Sequence, residues 1–235
     1  MPPVAVVIAA LNEEECLGDV LAEIPATACG LPVETIVVDD GSTDRTAEVA
    51  RAAGVHVHSF AVNEGHGVAL RAGYRIARED LGAEYIVTLD ADGQWNPAEM
   101  EGVLRPLVDD EADFVIGSRV LGATETDDSF RQAGVHVYAR LVRLLTGVTV
   151  TDTSSGFRAL RAEVTARVRQ TQVQYQTSEL LIGAIFAGYR VAERPIVMRK
   201  RFAGESKKGH NVLYGARYAR VIVRTWWRER SAATA

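Results

Sequence analysis

Tyr85-Ile86-Val87-Thr88-Leu89-Asp90-Ala91-Asp92-Gly93-Gln94 is the stretch on which the reading of this chain turns. Its first half is a nearly unbroken apolar run, which reads as a strand buried on both faces, with the two aspartates emerging at its carboxyl end. One intervening residue lets both acids lean toward a common point. A hard divalent cation, Mg²⁺ or Mn²⁺, would find oxygen ligands there and could be shared with a diphosphate. Taken alone, Asp-x-Asp is equally a solvated turn, so the flanking sequence has to decide.

Working outward, the same pattern recurs. Val4-Ala5-Val6-Val7-Ile8 runs into Leu11-Asn12-Glu13-Glu14-Glu15, read as a buried strand, a polar loop and a helix with acids in its first turn. Glu34-Thr35-Ile36-Val37-Val38 ends in Asp39-Asp40-Gly41-Ser42-Thr43-Asp44, and Ser42 or Thr43 is expected to cap a helix over 46–53. Val55 to Phe60 predicts a third strand and Asp113 to Gly117 a fifth, with helices after Gly67 and from Pro97. Strands alternating with helices predict an α/β fold, a Rossmann-like, mostly parallel sheet with helices on both faces. Ligands of such sheets sit beyond the carboxyl ends of the strands. Asn12-Glu13, Asp39-Asp40, Asp90-x-Asp92 and Ser118-Arg119 all fall there, on different strands. Random polar turns would fall at both ends, so this convergence argues for a site.

Composition narrows the class. With 47% hydrophobic and 24% charged residues, disorder is not the default, and 235 residues suffice for a substantial core. Cys16 and Cys29 have no metal-ligand spacing and read as free thiols of a reducing compartment. Met1-Pro2-Pro3 leads straight into a strand without a signal pattern, and no apolar stretch approaches the roughly 20 residues of a spanning helix. From Arg199 onward ten Lys or Arg residues face two acids, whereas residues 1–198 carry 16 bases against 29 acids. A basic tail on an acidic body suits an anionic surface or substrate and disfavours nucleic acid. Gly65-His66-Gly67 lacks the third glycine of a dinucleotide fingerprint, Leu70 standing in its place, and reads as a turn leading into a helix, with approach to the substrate the lesser alternative. His56, His58 and His136 are isolated and read as structural, and no nucleophile elbow is present.

In order along the chain, Val6-Val7-Ile8-Ala9-Ala10-Leu11-Asn12-Glu13, Val37-Val38-Asp39-Asp40-Gly41-Ser42-Thr43-Asp44-Arg45-Thr46, Asp90-Ala91-Asp92-Gly93-Gln94 and Gly117-Ser118-Arg119 resemble the motifs of family 2 glycosyltransferases with the GT-A fold. Thr153-Ser154-Ser155-Gly156-Phe157-Arg158 and Gly204-Glu205-Ser206-Lys207 make the chain similar to the dolichol- or polyprenol-phosphate mannose synthase branch. The resemblance implies that Ala9, Leu11, Glu13, Asp40, Asp90, Ala91, Asp92, Gln94 and Arg119 bind the nucleotide, and that Asp90, Asp92 and Gln94 hold the metal. It further implies that Arg131, Ser155, Arg158, Arg201 and Lys207 face donor or acceptor phosphate. Two departures stand out: Ala9-Ala10-Leu11 replaces Pro-x-Tyr in the first motif, and Val135 stands where the synthases tend to carry Ser.

Transfer to a hydroxyl needs a general base. Asp127, Asp128 and Asp152 are the candidates, each as plausible as a loop acid or cap. A phosphate monoester, largely ionised with a second pKa of about 6, is its own nucleophile and needs none. The reading that results is a metal-dependent inverting hexosyltransferase, with Asp92, Arg119 and Asp152 as catalytic residues. It would move mannose or glucose from GDP-mannose or UDP-glucose to polyprenyl phosphate. Transfer to a glycan or small-molecule hydroxyl is the alternative, and a non-catalytic nucleotide-sugar-binding or membrane-tethered scaffold is the reading of another class. The expected organisation is a GT-A domain over 1–208, with a nucleotide half to about 119 and a smaller acceptor-side half over 120–208, then a basic amphipathic segment over 209–235. The 124–129 stretch is open between a lid and a plain solvated connection. On the C-terminal helix Arg217, Arg220, Arg224 and Arg228 are expected on one face, with Tyr214, Tyr218, Val221, Ile222 and Trp226 beside and opposite. Two readings of its apolar face stay open: a bilayer interface, and packing on the domain or a partner. A cytoplasmic protein, peripheral on the inner face of the membrane and served by a separate membrane subunit, fits this picture.

Overall fold

The computed structural model describes residues 1–125, 129–202 and 212–233, the side chains of 129–131, 212, 213 and 233 excepted. Asp127, Asp128 and the Gly204-Glu205-Ser206-Lys207 segment therefore lie outside the described residues, as does the Arg131 side chain.

Four parallel strands carry the amino-terminal half: β1 (Val4–Ala10), β3 (Leu31–Asp39), β4 (His56–Ser59) and β5 (Tyr85–Asp90). A short β2 (Thr27–Ala28) pairs antiparallel with the start of β3. The sheet continues through β7 (Arg158–Arg161), antiparallel to both neighbours, to β6 (Phe114–Thr124) and β8 (Val191–Met198), giving the order β2-β3-β1-β5-β7-β6-β8 with β4 also on β3. The expected division near residue 119 falls inside β6, so both halves share one sheet.

The apolar runs are unbroken because both faces are covered. On β1, Val4, Val6 and Ile8 enter one core with α1 (Leu17–Glu23), α2 (Thr46–Ala52) and α4 (Met100–Val108). Ala5, Val7 and Ala9 enter the other with α3 (His66–Glu79), α5 (Ser129–Thr146), α6 (Ala162–Arg167), α7 (Gln176–Phe186) and α8 (Val212–Ala233). Gly73 lets α3 approach β1 closely, since a Cβ there would stand 2.4 Å from Val7 Cγ1.

Three local expectations are corrected. Glu13, Glu14 and Glu15 form a turn before α1, which starts at Leu17 with Asp19 as its first-turn acid. Neither Ser42 nor Thr43 caps α2, whose N-cap Arg45 makes no side-chain cap; Asp44, just before it, accepts from the Thr46 amide at 2.9 Å. Burial of Asp44 disfavours its charged form, but hydrogen bonds from Thr46 and Glu14 outweigh that and hold its pKa below the usual carboxylate range. On α8, Arg217, Arg220 and Arg224 are exposed, but Arg228 turns inward to the fully buried Glu179 at 2.7 Å. The apolar face of α8 packs on the domain: Tyr218, Val221 and Ile222 are buried, and the Tyr218 ring stands 4.5 Å from Tyr138 of α5.

The far edge is pinned by ions. Asp113, just before β6, accepts from Arg190 Nη2 at 2.8 Å and from Arg161 Nε at 3.2 Å, which ties together the starts of β6 and β8 and the end of β7. The bonds from Arg190, working against burial, hold the Asp113 carboxyl well below the usual carboxylate range. Such a group adds stability above its unfolded value of about 4, and the contribution is lost as pH falls through the lower folded value. Urea midpoints at about pH 6 and about pH 3 should therefore fall further for the wild type than for Asp113→Asn, with the variant the less stable at the higher pH.

Candidate active site

The carboxyl ends of β1, β3 and β5 and the middle of β6, where its register shifts after Ser118, meet in one cleft, and each is braced by its neighbours. Asn12, left-handed at φ 51°, accepts from the Thr43 amide at 2.8 Å, while its own amide donates to Ser42 Oγ at 2.9 Å. Asn tolerates this backbone better than most side chains, which is the physical reason for it between β1 and the acids. The Glu13 amide donates to Thr46 Oγ1 at 2.8 Å, locking the first loop to the start of α2. Asp40 is spent on structure as well as position, since its oxygens accept from the amides of Glu64 and Gly65 at 2.9–3.1 Å.

Around the Asp-x-Asp turn the contacts are dense. Asp90 accepts from Trp95 Nε1 at 2.9 Å, and Asp92 accepts from the Gln94 amide at 3.1 Å. Ala91, Asp92 and Gln94 are buried, with Ala9 on the adjoining strand end and Leu11 partly covered beyond it. Gly93 is positive in φ, and a Cβ on it would meet the Phe202 ring at 2.3 Å. That ring belongs to the segment after β8, which crosses the turn: Arg199 N donates to Gln94 O at 2.8 Å and Phe202 N to Asp92 O at 3.3 Å. Arg201, between them, bridges Glu13 at 3.2 Å and Asp92 at 2.8 Å.

Arg119 has a different setting. It is buried, and its Nε and Nη2 donate to the two oxygens of Asp152 at 2.6 and 3.1 Å, with Nη2 also reaching Ser154 Oγ at 3.0 Å. Its guanidinium lies 5.4 Å from the centroid of Trp95, and Asp152 is wholly buried. Asp152 is in turn supported from below, its amide donating to Glu193 Oε1 at 3.0 Å. Burial pushes the Glu193 carboxyl up, against the amides of Asp152 and Thr151 that favour its charge.

Two residues expected to face acceptor phosphate are turned elsewhere. Arg158 is 2% exposed and donates to three backbone carbonyls, those of Ser155, Thr153 and Thr177. Burial lowers its pKa, against the opposing pull of the Asp152 and Asp90 carboxylates. The Ser155 hydroxyl, fully buried, accepts from the Phe157 amide at 3.2 Å. Together they shape the 153–158 loop rather than reach the cleft with free donors. Gly156 on that loop passes so near Asp90 that a Cβ would stand 2.7 Å from its carboxylate oxygens.

His66 was expected only as part of the Gly65-His66-Gly67 turn into a helix, with approach to the substrate the lesser reading. At the start of α3, its Nδ1 meets Gln176 Nε2 at 2.9 Å and its Nε2 stands 3.9 Å from Asp90 Oδ1. With Thr88, Tyr74 and Arg158 it lines a small cleft behind Asp90. The available signal was its position after a strand end; no ligand spacing marked it. Trp95 was equally silent, although its indole fixes Asp90 and supports Arg119.

The carboxyl ends of a mostly parallel sheet thus carry a cleft of carboxylates and arginines, with close approaches that glycines permit. Residues 5–169 match the description Glycosyl transferase family 2, and the chain belongs to that family. It is a glycosyltransferase. Among its relatives, dolichyl-phosphate hexose transferase of Haloferax volcanii is 37% identical over 203 residues, spanning 86% of this chain and 85% of that one. Polyprenol monophosphomannose synthase of Mycolicibacterium smegmatis is 34% identical over 220 residues, spanning 88% and 82%. Among solved structures, glucosyl-3-phosphoglycerate synthase of Mycobacterium tuberculosis, in complex with Mn²⁺, UDP and glucosyl-3-phosphoglycerate, superposes with a TM-score of 0.74. It covers 97% of this chain and 80% of its own at 22% identity, a likeness of fold.

The Arg119–Asp152 pair gives a direct test. Asp152→Asn leaves a buried guanidinium without its counter-charge and should cost about 3 kcal/mol in denaturant unfolding. Adding Arg119→Met should restore a large part of that loss, a coupling that a double-mutant cycle reads directly.

Proposed function

We propose that this chain transfers a hexose, mannose or glucose, from a nucleoside diphosphate sugar to polyprenyl phosphate with inversion at the anomeric carbon. The observation that carries the reading is the state of Asp152, the one candidate base among the described residues. Both of its oxygens are bound by Arg119. A carboxylate held that way orients a cation and is poorly placed to take a proton, whereas an acceptor phosphate arrives already ionised. The Haloferax and Mycolicibacterium relatives, named for dolichyl-phosphate and polyprenol-monophosphate chemistry, support the same class of acceptor.

In this mechanism Ala9, Leu11, Glu13 and Asp40 line the nucleoside end of the donor, and Asp90, Asp92 and Gln94 lie under its diphosphate. Among the described residues no three His, Cys, Asp or Glu side chains gather as a metal cage. The hard oxygens of Asp90, Asp92 and Gln94 nevertheless fit a divalent cation completed by substrate oxygens, as Mg²⁺ and Mn²⁺ are commonly held. When bound it neutralises the leaving diphosphate. Arg119, fixed by Asp152 and set over Trp95, offers its fixed positive charge and its remaining Nη1 hydrogen to the same developing charge. Asp152 is on this reading a positioning residue for Arg119. The acceptor phosphate then attacks in line, and alignment contributes the remainder. Arg131 and Lys207 are proposed to meet the acceptor phosphate, with Arg158 and Ser155 holding the loop beside it.

Label from GDP-mannose or UDP-glucose, supplied with Mg²⁺ or Mn²⁺, should pass to an organic-soluble product when polyprenyl phosphate is added. Asp92→Asn should reduce that transfer by about a hundredfold or more. Label that stays aqueous with both donors would overturn the polyprenyl reading in favour of a hydroxyl acceptor.

Such an acceptor resides in a bilayer, and no helix among the described residues is long and apolar enough to cross one. Contact would fall to the protein surface or to a separate membrane subunit. On α8, Arg217, Arg220 and Arg224 are exposed beside Val223 and Trp227, the latter 66% accessible. Basic residues with an interfacial Trp suit anionic lipid. Because Tyr218 and Ile222 of the same helix are in the core, truncation would be a poor test. Arg220→Glu with Arg224→Glu should instead weaken flotation with anionic vesicles, by roughly 1 kcal/mol per lost Arg, with the fold retained. Unchanged flotation would leave the membrane subunit as the route.

A further inference from the structure

Arg201 occupies an unusual place for a residue expected to bind phosphate. Its guanidinium spans Glu13 and Asp92, at 3.2 and 2.8 Å, and all three side chains are at most 17% exposed. The Asp92 oxygen that accepts from it is Oδ2, while Oδ1 accepts from the Gln94 amide. A divalent cation on Oδ2 would sit about 2.0–2.6 Å from that oxygen. With Arg201 Nη2 at 2.8 Å from the same atom, that nitrogen and the metal would be no more than about 5.4 Å apart in a partly buried setting, where like charges repel strongly. Holding both on one oxygen is unfavourable until further negative charge arrives.

The backbone around Arg201 lets its side chain move alone. Arg199 N is tied to Gln94 O at 2.8 Å on one side and Phe202 N to Asp92 O at 3.3 Å on the other. The Phe202 ring over Gly93 further anchors the segment across the turn. Side-chain rotation between these anchors needs no movement of the sheet or the turn.

We infer that Arg201 holds the cation position at Asp92 in the free enzyme and yields it when a nucleoside diphosphate arrives, so that divalent metal binds tightly only together with nucleotide. This inference rests on the metal and donor placement proposed above. The diphosphate supplies the negative charge that draws Arg201 off Asp92 and, in the same event, the oxygens that complete the metal's coordination. Arg201 thereby makes the two ligands mutually dependent, and by linkage each raises the affinity of the other by the same factor. A binding-competent state that is only fractionally populated lowers the apparent affinity of metal alone.

The test is Mn²⁺ binding to the full chain, read from the electron paramagnetic resonance of free Mn²⁺, first alone and then with saturating UDP or GDP. For Mn²⁺ alone, Arg201→Gln should bind about tenfold more tightly than wild type, and Arg201→Lys should fall between the two, both with wild-type circular dichroism. With nucleotide present the gain should vanish, because in the wild type Arg201 has already left Asp92. Unchanged or weaker Mn²⁺ binding by Arg201→Gln would overturn the inference. So would a gain of equal size with and without nucleotide, which is the signature of simple charge repulsion. Asp92→Asn separates this from failure of the underlying reading. If it abolishes Mn²⁺ binding while Arg201→Gln changes nothing, only the exchange is wrong; if Mn²⁺ binding survives it, the metal placement fails, and the inference with it.

Discussion

Glu13, Asp90, Asp92 and Asp152 are brought to one edge of the molecule by strands and loops that have no freedom to relieve the crowding. β1 is buried along its whole length, and β5 is buried up to Asp90. Both are sandwiched between two cores, so the positions of their carboxyl ends are set by packing on either face. Like charges gathered in a partly buried cleft destabilise the fold unless cations or oriented amides meet them. The cleft is organised around that requirement. Asp39 and Asp40 are answered by backbone amides, Asp152 by Arg119, and Glu13 with Asp92 by Arg201.

These answers differ in permanence. Arg119 is 8% exposed, makes two hydrogen bonds to a fully buried carboxylate, and is further held by Ser154, the Met198 sulfur and the Trp95 ring. Moving it would leave Asp152 ionised and unpaired in the core, so it is a fixed charge in the site. Arg201 sits on a segment that crosses the cleft mouth, and its partners are the very carboxylates that the substrate side of the cleft would engage. A fixed arginine suits stabilisation of a charge that develops in a constant place; a replaceable one suits a ligand that comes and goes.

Much of this could be read from the residues alone, for reasons that are physical. β1, β3, β5 and the first half of β6 are double-sided strands, and such strands leave continuous apolar runs with polar residues abruptly at their ends. The ends of those runs therefore announced Glu13, Asp40, Asp92 and Arg119 together, although β6 itself continues past Arg119 to Thr124. β7 and β8 gave no such signal. Arg158 opens β7 with a buried guanidinium, and β8 carries Glu193, Arg194 and Pro195 in its middle, as edge strands do. The same limit hid the fate of Arg158 and Arg228, for a sequence shows that an arginine is present but not whether it faces a carbonyl, a carboxylate or solvent. On α8 the 3.6-residue period placed Arg217, Arg220 and Arg224 correctly on the outside, but the neighbouring α7 supplied Glu179 and captured Arg228.

The buried Arg158 shows how the far side of the cleft is kept in shape. It has no carboxylate among its hydrogen-bond partners; three carbonyls from the 153–158 loop and from Thr177 converge on it instead. A cation so placed is costly in isolation, and the loop carbonyls that solvate it would otherwise be poorly satisfied themselves. Each therefore requires the other, and the loop is stiffened as a result. That stiffness matters because Gly156 of this loop passes within van der Waals reach of Asp90, while Thr88 on β5 donates to the Gly156 carbonyl at 2.6 Å. Asp90 is thus confined between a rigid loop on one side and the Trp95 indole on the other, leaving Asp92 and its exchangeable partner as the adaptable part of the pair.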